Sequence, residues 1–454
     1  MVCRPCLPSP RNFCGWLCLL VCGAFAVAAQ NKDSDDSTAT KKKSKTIAKE
    51  ADKDKKSSTK KKDESPTKKV PAKTSDSDEK KKPAKSKDEP TDVTHQKAGR
   101  DKDGKGIESS GEGEFDKPAE GDKSADDARR KAGAKPATNG KKDESKSGAG
   151  SMAGWELVHY QDRDYVTSES IHRFYRFADY KLDGSTVWFT SPVLVMKGQL
   201  GSQDLLINNI KFVLSHPIEE SNGKVLISRL DLCKLIDPVL RPSYINTASV
   251  FETVVIDAGH GGHDSGARGI YGYEKDFALQ LATLLKADLE KRGLKVVLTR
   301  KDDTFISLGG RVEIANKIPK SIYISLHFNS GGSAATGIET YALSPQGAAS
   351  DYGARGVDSL AFNGNQRDSE NIALATAIHA SVVHHFKLVD RGVKRARWYV
   401  LTGLERPGVL FEGGFVTNSG DGRLIAAANF RTELAHTIGD AIMNYRRALQ
   451  PPQR

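Results

Sequence analysis

The sequence predicts an α/β protein whose C-terminal part is a mostly parallel sheet flanked by helices. A small α+β domain and a long disordered linker precede that part. Three observations support this prediction. From Val254 onward, short apolar runs alternate with helical patterns, which is typical of α/β sheets. Residues 151–250 mix aromatic side chains with short strand patterns, and residues 30–150 are almost entirely charged, small or polar.

The chain begins with a pattern typical of a secretory signal. Arg4 and Arg11 come before an apolar run at residues 13–27, and small residues near Ala28 offer a cleavage site. The run is short for a membrane span, which needs about 20 residues. We therefore predict a signal peptide over residues 1–29 and an exported protein of the periplasm or cell envelope, with no membrane span after cleavage. An uncleaved N-terminal anchor is the alternative.

Residues 30–150 are predicted to be a disordered charged linker, because they carry too little apolar surface to offset the entropy of ordering. Most of the net charge of +11 lies here, with lysine triplets at 41–43, 60–62 and 80–82. An exported chain does not meet nucleic acid, so nucleic acid is excluded as a partner. The lysines point to acidic envelope polymers as partners, or else the segment is a solvated spacer.

The small domain is predicted over residues 151–250. Strands are expected at 187–189, 211–214 and 224–228, with a hairpin turn at Asn222-Gly223 and short helices at 171–174 and 232–236. Ser168 is the expected cap of the first helix. Cys233 is the single cysteine after residue 30, and we predict that it is buried and structural. The domain weakly resembles copper-amine-oxidase-N-like modules of envelope proteins, which makes wall binding a hypothesis for it.

The C-terminal domain is predicted over residues 251–454. Its strands are expected at 254–256, 295–299, 322–326, 339–343, 398–401 and 409–411. Its helices are expected at 277–289, 311–316, 372–386 and 430–447, where apolar residues recur on one helical face. In the first of these helices the repeated apolar positions run from Phe277 to Leu289, and Gly293 ends the pattern.

Polar side chains follow three of the predicted strands. His260, His327 and Glu412 come directly after or at the ends of 254–256, 322–326 and 409–411, and sites in open α/β sheets lie beyond the carboxyl ends of strands. Glu274 stands just before a helix start. Zinc hydrolysis requires three protein ligands, one open position and a further carboxylate to move a proton. These four residues supply that set, but spacing does not say which glutamate is the ligand and which the base.

A resemblance decides that question. Six segments carry it, in order along residues 252–447: 254–262, 274–276, 298–300, 325–329, 390–394 and 412–418. Together they resemble the zinc-dependent type 3 family of N-acetylmuramoyl-L-alanine amidases. The resemblance implies that His260, Glu274 and His327 hold Zn²⁺ and that Glu412 is the catalytic acid/base.

The resemblance also implies the substrate and reaction. These are peptidoglycan and hydrolysis of its amide bond between N-acetylmuramic acid and L-alanine, for cell-wall remodelling or daughter-cell separation. Two alternatives stay open. One is a zinc peptidase that acts on the stem peptides, and the other is a non-catalytic wall-binding protein.

Several polar residues allow two interpretations. His263 is either an exposed loop histidine or a further group at the metal site. Arg300 and Arg311 either anchor substrate carboxylates or form structural ion pairs. His379 is expected to be structural rather than catalytic, as are His384 and His385. The glycine-rich segment 344–371 is not expected to form a helix that blocks the site.

Overall fold

A computed structural model describes residues 151–450 of the chain, apart from residues 153, 352, 354 and 355. The predicted signal peptide and the whole of the predicted linker lie outside the described residues. Within the described part, no helix is long and apolar enough to cross a membrane.

The described strands are numbered in chain order. They are β1 Ser151–Met152, β2 Trp155–Tyr160, β3 Arg163–Thr167, β4 Asp179–Asp183, β5 Thr186–Thr190, β6 Val195–Gln199, β7 Asp204–Ile207, β8 Ile210–Val213, β9 Glu219–Ser221, β10 Lys224–Ser228, β11 Thr253–Ala258, β12 Arg268–Gly269, β13 Gly272–Tyr273, β14 Lys295–Leu298, β15 Ser321–Asn329, β16 Ile338–Leu343, β17 Asp390–Ala396 and β18 Gly408–Phe415.

The helices are numbered in the same way. They are α1 Ser168–Tyr175, α2 over residues 229–240 with a π turn at Leu232–Ile236, α3 Glu274–Lys291, α4 Leu308–Asn316, α5 Asp368–Phe386, α6 Tyr399–Thr402, α7 Ser419–Ala426 and α8 Ala428–Ala448. Short 3-10 turns lie at Pro242–Tyr244, Gly356–Ser359 and Asn363–Arg367.

One large sheet has the strand order β14-β11-β15-β18-β16-β17-β8-β7-β6-β5-β4. Strands β14, β11, β15 and β18 are parallel, β16 runs antiparallel to β18, and β17 is parallel to β16. The prediction of a mostly parallel sheet is therefore confirmed for the C-terminal part. Beyond β17, strands β8 to β4 form an antiparallel meander.

Helices cover both faces of the parallel strands, as the apolar runs predict. In β11, Val254 and Ile256 belong to the large core cluster that contains side chains of α3, α5 and α8. Val255 points to the other face and packs in a second cluster with side chains of α4 and α6. All six residues of β11 are buried, which is typical of a strand covered on both faces.

The large sheet crosses the predicted boundary at residue 250. Strand β8 pairs in parallel with β17 through Phe212 and Val393. Arg395 of β17 is buried and donates to Ser215 Oγ at 2.7 Å, Asp231 Oδ1 at 3.1 Å and the Lys234 carbonyl at 2.7 Å. Hydrogen bonds and a buried ion pair therefore join residues 151–250 to the C-terminal part.

The hairpin turn at Asn222-Gly223 joins β9 to β10, as predicted. Both residues have positive φ, 52° and 72°, as a two-residue type I′ turn requires. The helix cap is wrong by one position, because Thr167 rather than Ser168 precedes α1 and accepts from the Ser170 amide. Cys233 is half-buried rather than buried.

One strand prediction for the C-terminal part is also wrong, and one strand was not predicted. Residues 398–401 are not a strand: Trp398 precedes the short helix α6, Tyr399–Thr402. In contrast, Asp390–Ala396 forms a strand that the sequence pattern did not indicate.

Candidate active site and metal centre

Three of the predicted site residues meet at one end of the large sheet. Single ligand atoms of His260, Glu274 and His327 all lie within 4.8 Å of one another, and all three residues are buried. Glu274 Oε1 lies 3.0 Å from His260 Nε2 and 2.9 Å from His327 Nδ1. The two imidazole rings stand nearly perpendicular, at 80°, with their centroids 4.8 Å apart.

His260 lies in the loop that follows β11, and two buried arginines hold the loop backbone. Arg311 donates to the carbonyls of Ala258 and His260 at 2.9 and 2.8 Å. Arg300 donates to those of Ala258 and Gly259 at 2.8 and 2.7 Å. The remaining guanidinium nitrogens bond Ile306 O and Asp302 O, and Arg311 also pairs with Asp257 at 2.6 Å. Every guanidinium nitrogen is used within the fold, so both arginines are structural. Arg311 forms the ion pair that the structural interpretation predicted, whereas Arg300 bonds only backbone carbonyls.

Asp264 orients the imidazole of His260. Both Asp264 carboxylate oxygens lie 2.9 Å from His260 Nδ1, which leaves Nε2 to face Glu274. A carboxylate behind a ligating histidine fixes its tautomer and raises its basicity. Asp264 was not among the predicted site residues, although its position four residues after His260 was a signal in the sequence. His263 is exposed and instead stacks on Phe305, with centroids 4.2 Å apart.

Glu274 is the first residue of α3, and its carboxylate is fully engaged. Oε1 accepts from the Phe328 amide at 3.1 Å, and Oε2 accepts from the Ala267 amide at 2.9 Å. A helix N-terminus also favours negative charge. Burial alone would raise the pKa of Glu274, but His260 and His327 hold it well below its ordinary value.

The protonation of His260 responds to the same neighbours. Burial alone would lower the pKa of His260, but Glu274 and Asp264 raise it to about 9. Two imidazoles and one carboxylate are the protein ligands of many catalytic zinc sites. His260 Nε2 and His327 Nδ1 both face Glu274 Oε1. A zinc ion would therefore take the place of contacts that these three atoms already make with one another. The residues therefore fit a zinc ion with an open fourth position.

Glu412 lies beside this group on the next strand. It is in register with His327 across the parallel pair β15–β18. Its Oε2 is buried and has no hydrogen-bond partner in the described part of the chain. Burial, followed by the charges of Glu274 and Glu339, raises the pKa of Glu412 well above its ordinary value. Such a carboxyl is suited to hold and transfer a proton.

A second glutamate, which was not among the predicted site residues, stands directly across from Glu412. Glu339 of β16 pairs with Glu412 in the antiparallel β16–β18 ladder. Its carboxylate accepts from Tyr341 Oη at 2.5 Å and from Arg391 Nε, and it lies 3.4 Å from Lys394 Nζ. Arg391 and Lys394 lie in the segment 390–394, one of the six that carry the family resemblance, and this was the signal in the sequence that they belong near the site.

The remaining polar candidates are not brought into the site. His379 is fully buried, lies 3.0 Å from Thr340 Oγ1 and 2.9 Å from Asp390 Oδ1, and is therefore structural. In the segment 344–371, the described residues before Asp368 contain 3-10 turns and no α-helix. The structure thus contains no blocking α-helix among those residues.

Comparison with known proteins places the site within a matched region. A family model described as N-acetylmuramoyl-L-alanine amidase matches residues 254–444. AmiA of Escherichia coli, an N-acetylmuramoyl-L-alanine amidase, is 32% identical over 217 residues, which is 42% of this chain and 75% of AmiA. The uncharacterized protein YqiI of Bacillus subtilis is 34% identical over 194 residues, 43% of this chain and 84% of YqiI.

Two further matches cover the same part of the chain. LytC of Bacillus subtilis is 32% identical over 199 residues, 44% of this chain but only 36% of LytC. The solved structure of AmiC2 from Nostoc punctiforme has 31% sequence identity and covers 44% of this chain and 99% of its own, with a TM-score of 0.37. Both proteins are named as N-acetylmuramoyl-L-alanine amidases.

Proposed function

The chain belongs to the N-acetylmuramoyl-L-alanine amidase family, which hydrolyses an amide bond of peptidoglycan, and from this premise we propose the roles of its site residues. His260, Glu274 and His327 hold one zinc ion, and Glu412 is the general acid–base. The bond cut is the one between N-acetylmuramic acid and L-alanine.

One observation carries the role of Glu412. Its Oε2 is buried beside the three ligand residues and has no hydrogen-bond partner in the described structure. A buried polar atom left unpaired costs about 1–3 kcal/mol. If the Glu412 carboxyl had only a structural role, a hydrogen-bond partner for this oxygen would be expected. In the proposed reaction, this oxygen takes a proton from the attacking water and gives it to the leaving amide nitrogen.

The other site residues supply position and electrostatics. When bound, the zinc ion supplies Lewis-acid polarisation of a carbonyl and lowers the pKa of a water molecule. Asp264 keeps His260 Nε2 directed at Glu274, and Arg311 holds the His260 backbone. Glu339 places a second negative charge opposite Glu412, which favours the protonated form that the leaving nitrogen needs.

We also propose that the protein is exported to the periplasm or cell envelope. The apolar N-terminal run with its preceding arginines supports this, as does a wall polymer as substrate. The lysine-rich linker then lies among acidic envelope polymers or serves as a spacer, and residues 151–250 contribute to wall binding. Binding of a linker peptide, residues 31–150, to purified sacculi and to acidic polymers would test the first of these roles.

Glu412→Gln tests the assignment of the acid–base. The variant should bind zinc at the wild-type stoichiometry of one per chain but release stem peptides from purified sacculi at least about 100-fold more slowly, as expected when a general acid–base is lost. Glu405→Gln is the matched control, because Glu405 is exposed and lies outside the site. Full activity of Glu412→Gln would contradict the mechanism.

The products distinguish the amidase from the two alternatives. Mass spectrometry of wild-type digests should show intact glycan strands with free lactyl carboxylates and intact stem peptides. Cleavage inside the stem peptide would indicate a zinc peptidase. Binding to sacculi without release of any peptide would indicate a non-catalytic wall-binding protein.

A further inference from the structure

Four neighbouring strands place a row of polar side chains at the site end of the sheet. His327 on β15 pairs with Glu412 on β18, and Glu412 pairs with Glu339 on β16. Arg391 on β17 then donates from Nε to the Glu339 carboxylate. The row therefore begins at a proposed metal ligand and ends at a cation.

Arg391 is held in one orientation but not covered. Its guanidinium carbon lies 4.9 Å from the centroid of the Phe415 ring, and its side chain is 35% exposed. Only Nε has a hydrogen-bond partner in the described structure, so the two terminal nitrogens are available. An arginine fixed in this way presents the fork that binds a carboxylate through two parallel hydrogen bonds.

The other charges of the cluster are already engaged. Lys394 lies 3.4 Å from Glu339 and 3.1 Å from Asp351, and its side chain is only 15% exposed. Asp390 accepts from the Lys211 amide at 2.8 Å and lies 2.9 Å from His379 Nε2. Arg391 is therefore the cation of this cluster that a substrate can reach.

The distance from the reacting bond indicates which part of the substrate meets Arg391. The Arg391 guanidinium lies over Phe415, which is three residues beyond Glu412 on β18, a distance of about 10 Å at ~3.3 Å per residue of strand. Extended peptide spans ~3.5 Å per residue, so this distance corresponds to two or three residues. The glycan side of the substrate consists of uncharged N-acetylated sugars, whereas the peptide side carries carboxylates. A cation at this position therefore faces the peptide side.

We propose that Arg391 binds a free carboxylate of the stem peptide, two or three residues beyond the scissile amide, and so selects which peptides are cut. This inference rests on the proposed amidase function. The ligand is a peptide carboxylate, and its amidation to a carboxamide would remove the negative charge that the guanidinium recognises.

Two synthetic muramoyl peptides test the proposal. They form a matched pair that differs only at the second residue of the peptide, which carries either a free carboxylate or a carboxamide. A second matched pair carries the same difference at the third residue. For one of the two pairs, the zinc-loaded wild-type enzyme should cut the acid with a kcat/KM about tenfold higher than the amide, as loss of a charge-assisted hydrogen bond implies. In Arg391→Gln this preference should fall to about one.

A structural role for Arg391 would give a different result. Loss of its bond to Glu339 would lower the rates for acid and amide by the same factor and leave their ratio unchanged, which would overturn the proposal. Arg391→Lys keeps the charge but loses the fork, so it should recover part of the preference. Arg447→Gln, at the exposed end of α8, is the matched control and should keep the wild-type ratio.

The wild-type enzyme separates this inference from the function on which it rests. If it releases both peptides of both pairs at equal rates, the amidase function stands and the proposal for Arg391 is wrong. If it releases neither peptide of either pair while cutting within sacculus stem peptides, the proposed function itself is wrong.

Discussion

His260 adopts a backbone conformation that residues other than glycine seldom take, with a φ of 58°. Such strain costs about 1–3 kcal/mol and persists only where the surroundings enforce it. Arg311 supplies that enforcement, since one guanidinium bonds the carbonyls on both sides of the turn. The imidazole of this strained residue faces Glu274, so the bonds that hold the loop also position a proposed ligand.

Zinc binding should release a proton from His260. With a pKa of about 9, His260 is protonated at pH 7 in the zinc-free protein. Only the neutral imidazole has a free Nε2 lone pair with which to bind zinc. Zinc affinity should therefore rise by about tenfold per pH unit from pH 7 to 9 and level off above that. Calorimetric titration in buffers of different ionisation enthalpy measures both the affinity and the protons released.

Asp264→Asn is the informative variant for this experiment. It removes one of the two carboxylates that raise the pKa of His260, so fewer protons should be released at pH 8. Zinc binding with no proton release at pH 7.5 in the wild type would contradict the prediction.

The predicted site residues were identified by residue type and position along the chain, whereas Glu339, one of the overlooked residues, depends on a cross-strand contact. His260, Glu274, His327 and Glu412 were each recognisable at the end of a strand or the start of a helix. Glu339 stands in an ordinary strand pattern, and only the antiparallel pairing of β16 with β18 puts it opposite Glu412. Strand order is not encoded in any local pattern, so Glu339 could not be found from the sequence.

At the scale of elements, the glycine-containing loop after β11 has a specific purpose. A side chain at Gly259 would place its Cβ 2.4 Å from Cε1 and 2.6 Å from Nε2 of the His327 ring. Glycine is needed at this position because the end of β11 passes directly against His327, a proposed ligand on the neighbouring strand.

Gly259→Ala should weaken zinc binding without unfolding the protein. The added methyl group displaces the His327 ring, and loss of one of three ligands should reduce zinc affinity by at least about 100-fold, or about 2.7 kcal/mol. Equilibrium dialysis with zinc and circular dichroism measure the two properties. Gly309→Ala is the control, because its nearest neighbouring atom lies 3.8 Å away. Wild-type affinity in Gly259→Ala would show that the ring has room to move.

Long, strongly patterned elements were predictable, whereas two short ones were not. Strand β17 carries charged residues at four of its seven positions, Asp390, Arg391, Lys394 and Arg395, so it lacks the apolar alternation of a strand. The structure compensates by giving the most buried of them, Arg395, a partner in Asp231. In contrast, residues 398–401 have strand-forming side chains, and a short apolar run of this kind is ambiguous between helix and strand.

At the scale of the whole molecule, the predicted small domain and catalytic domain share one sheet. The Arg395 guanidinium bonds Ser215, Asp231 and Lys234, all before residue 250. Lys234 in turn pairs with Asp368 of α5 at 3.2 Å. Residues 151–250 therefore contribute to the stability of the catalytic part, whatever else they bind.

A shortened chain that begins at residue 251 should be strongly destabilised. Strand β17 would lose its pairing with β8, and Arg395 would lose its ion pair with Asp231 and its bonds to Ser215 and Lys234. A chain that begins at residue 151 keeps these contacts and should match the full-length protein. Soluble yield and the thermal unfolding midpoint compare the three proteins.

Asp231→Asn in the chain that begins at residue 151 tests the part played by the ion pair, because it leaves Arg395 buried without its carboxylate partner and should cost about 3–5 kcal/mol of stability. An unchanged unfolding midpoint for the chain that begins at residue 251 would show that the two parts are independent.

The joint between β8 and β17 also determines the order in which the protein can assemble. The Lys211 amide bonds Asp390 across 179 residues of chain, and contacts so distant in sequence form slowly. The chain is synthesised from its N-terminus, so the meander β4–β8 is complete long before β17 has been made. Its last strand, β8, therefore has an unpaired hydrogen-bonding edge until β17 forms, and such an edge favours incorrect pairing. Assembly of the site end of the sheet and closure of this edge are late events of folding.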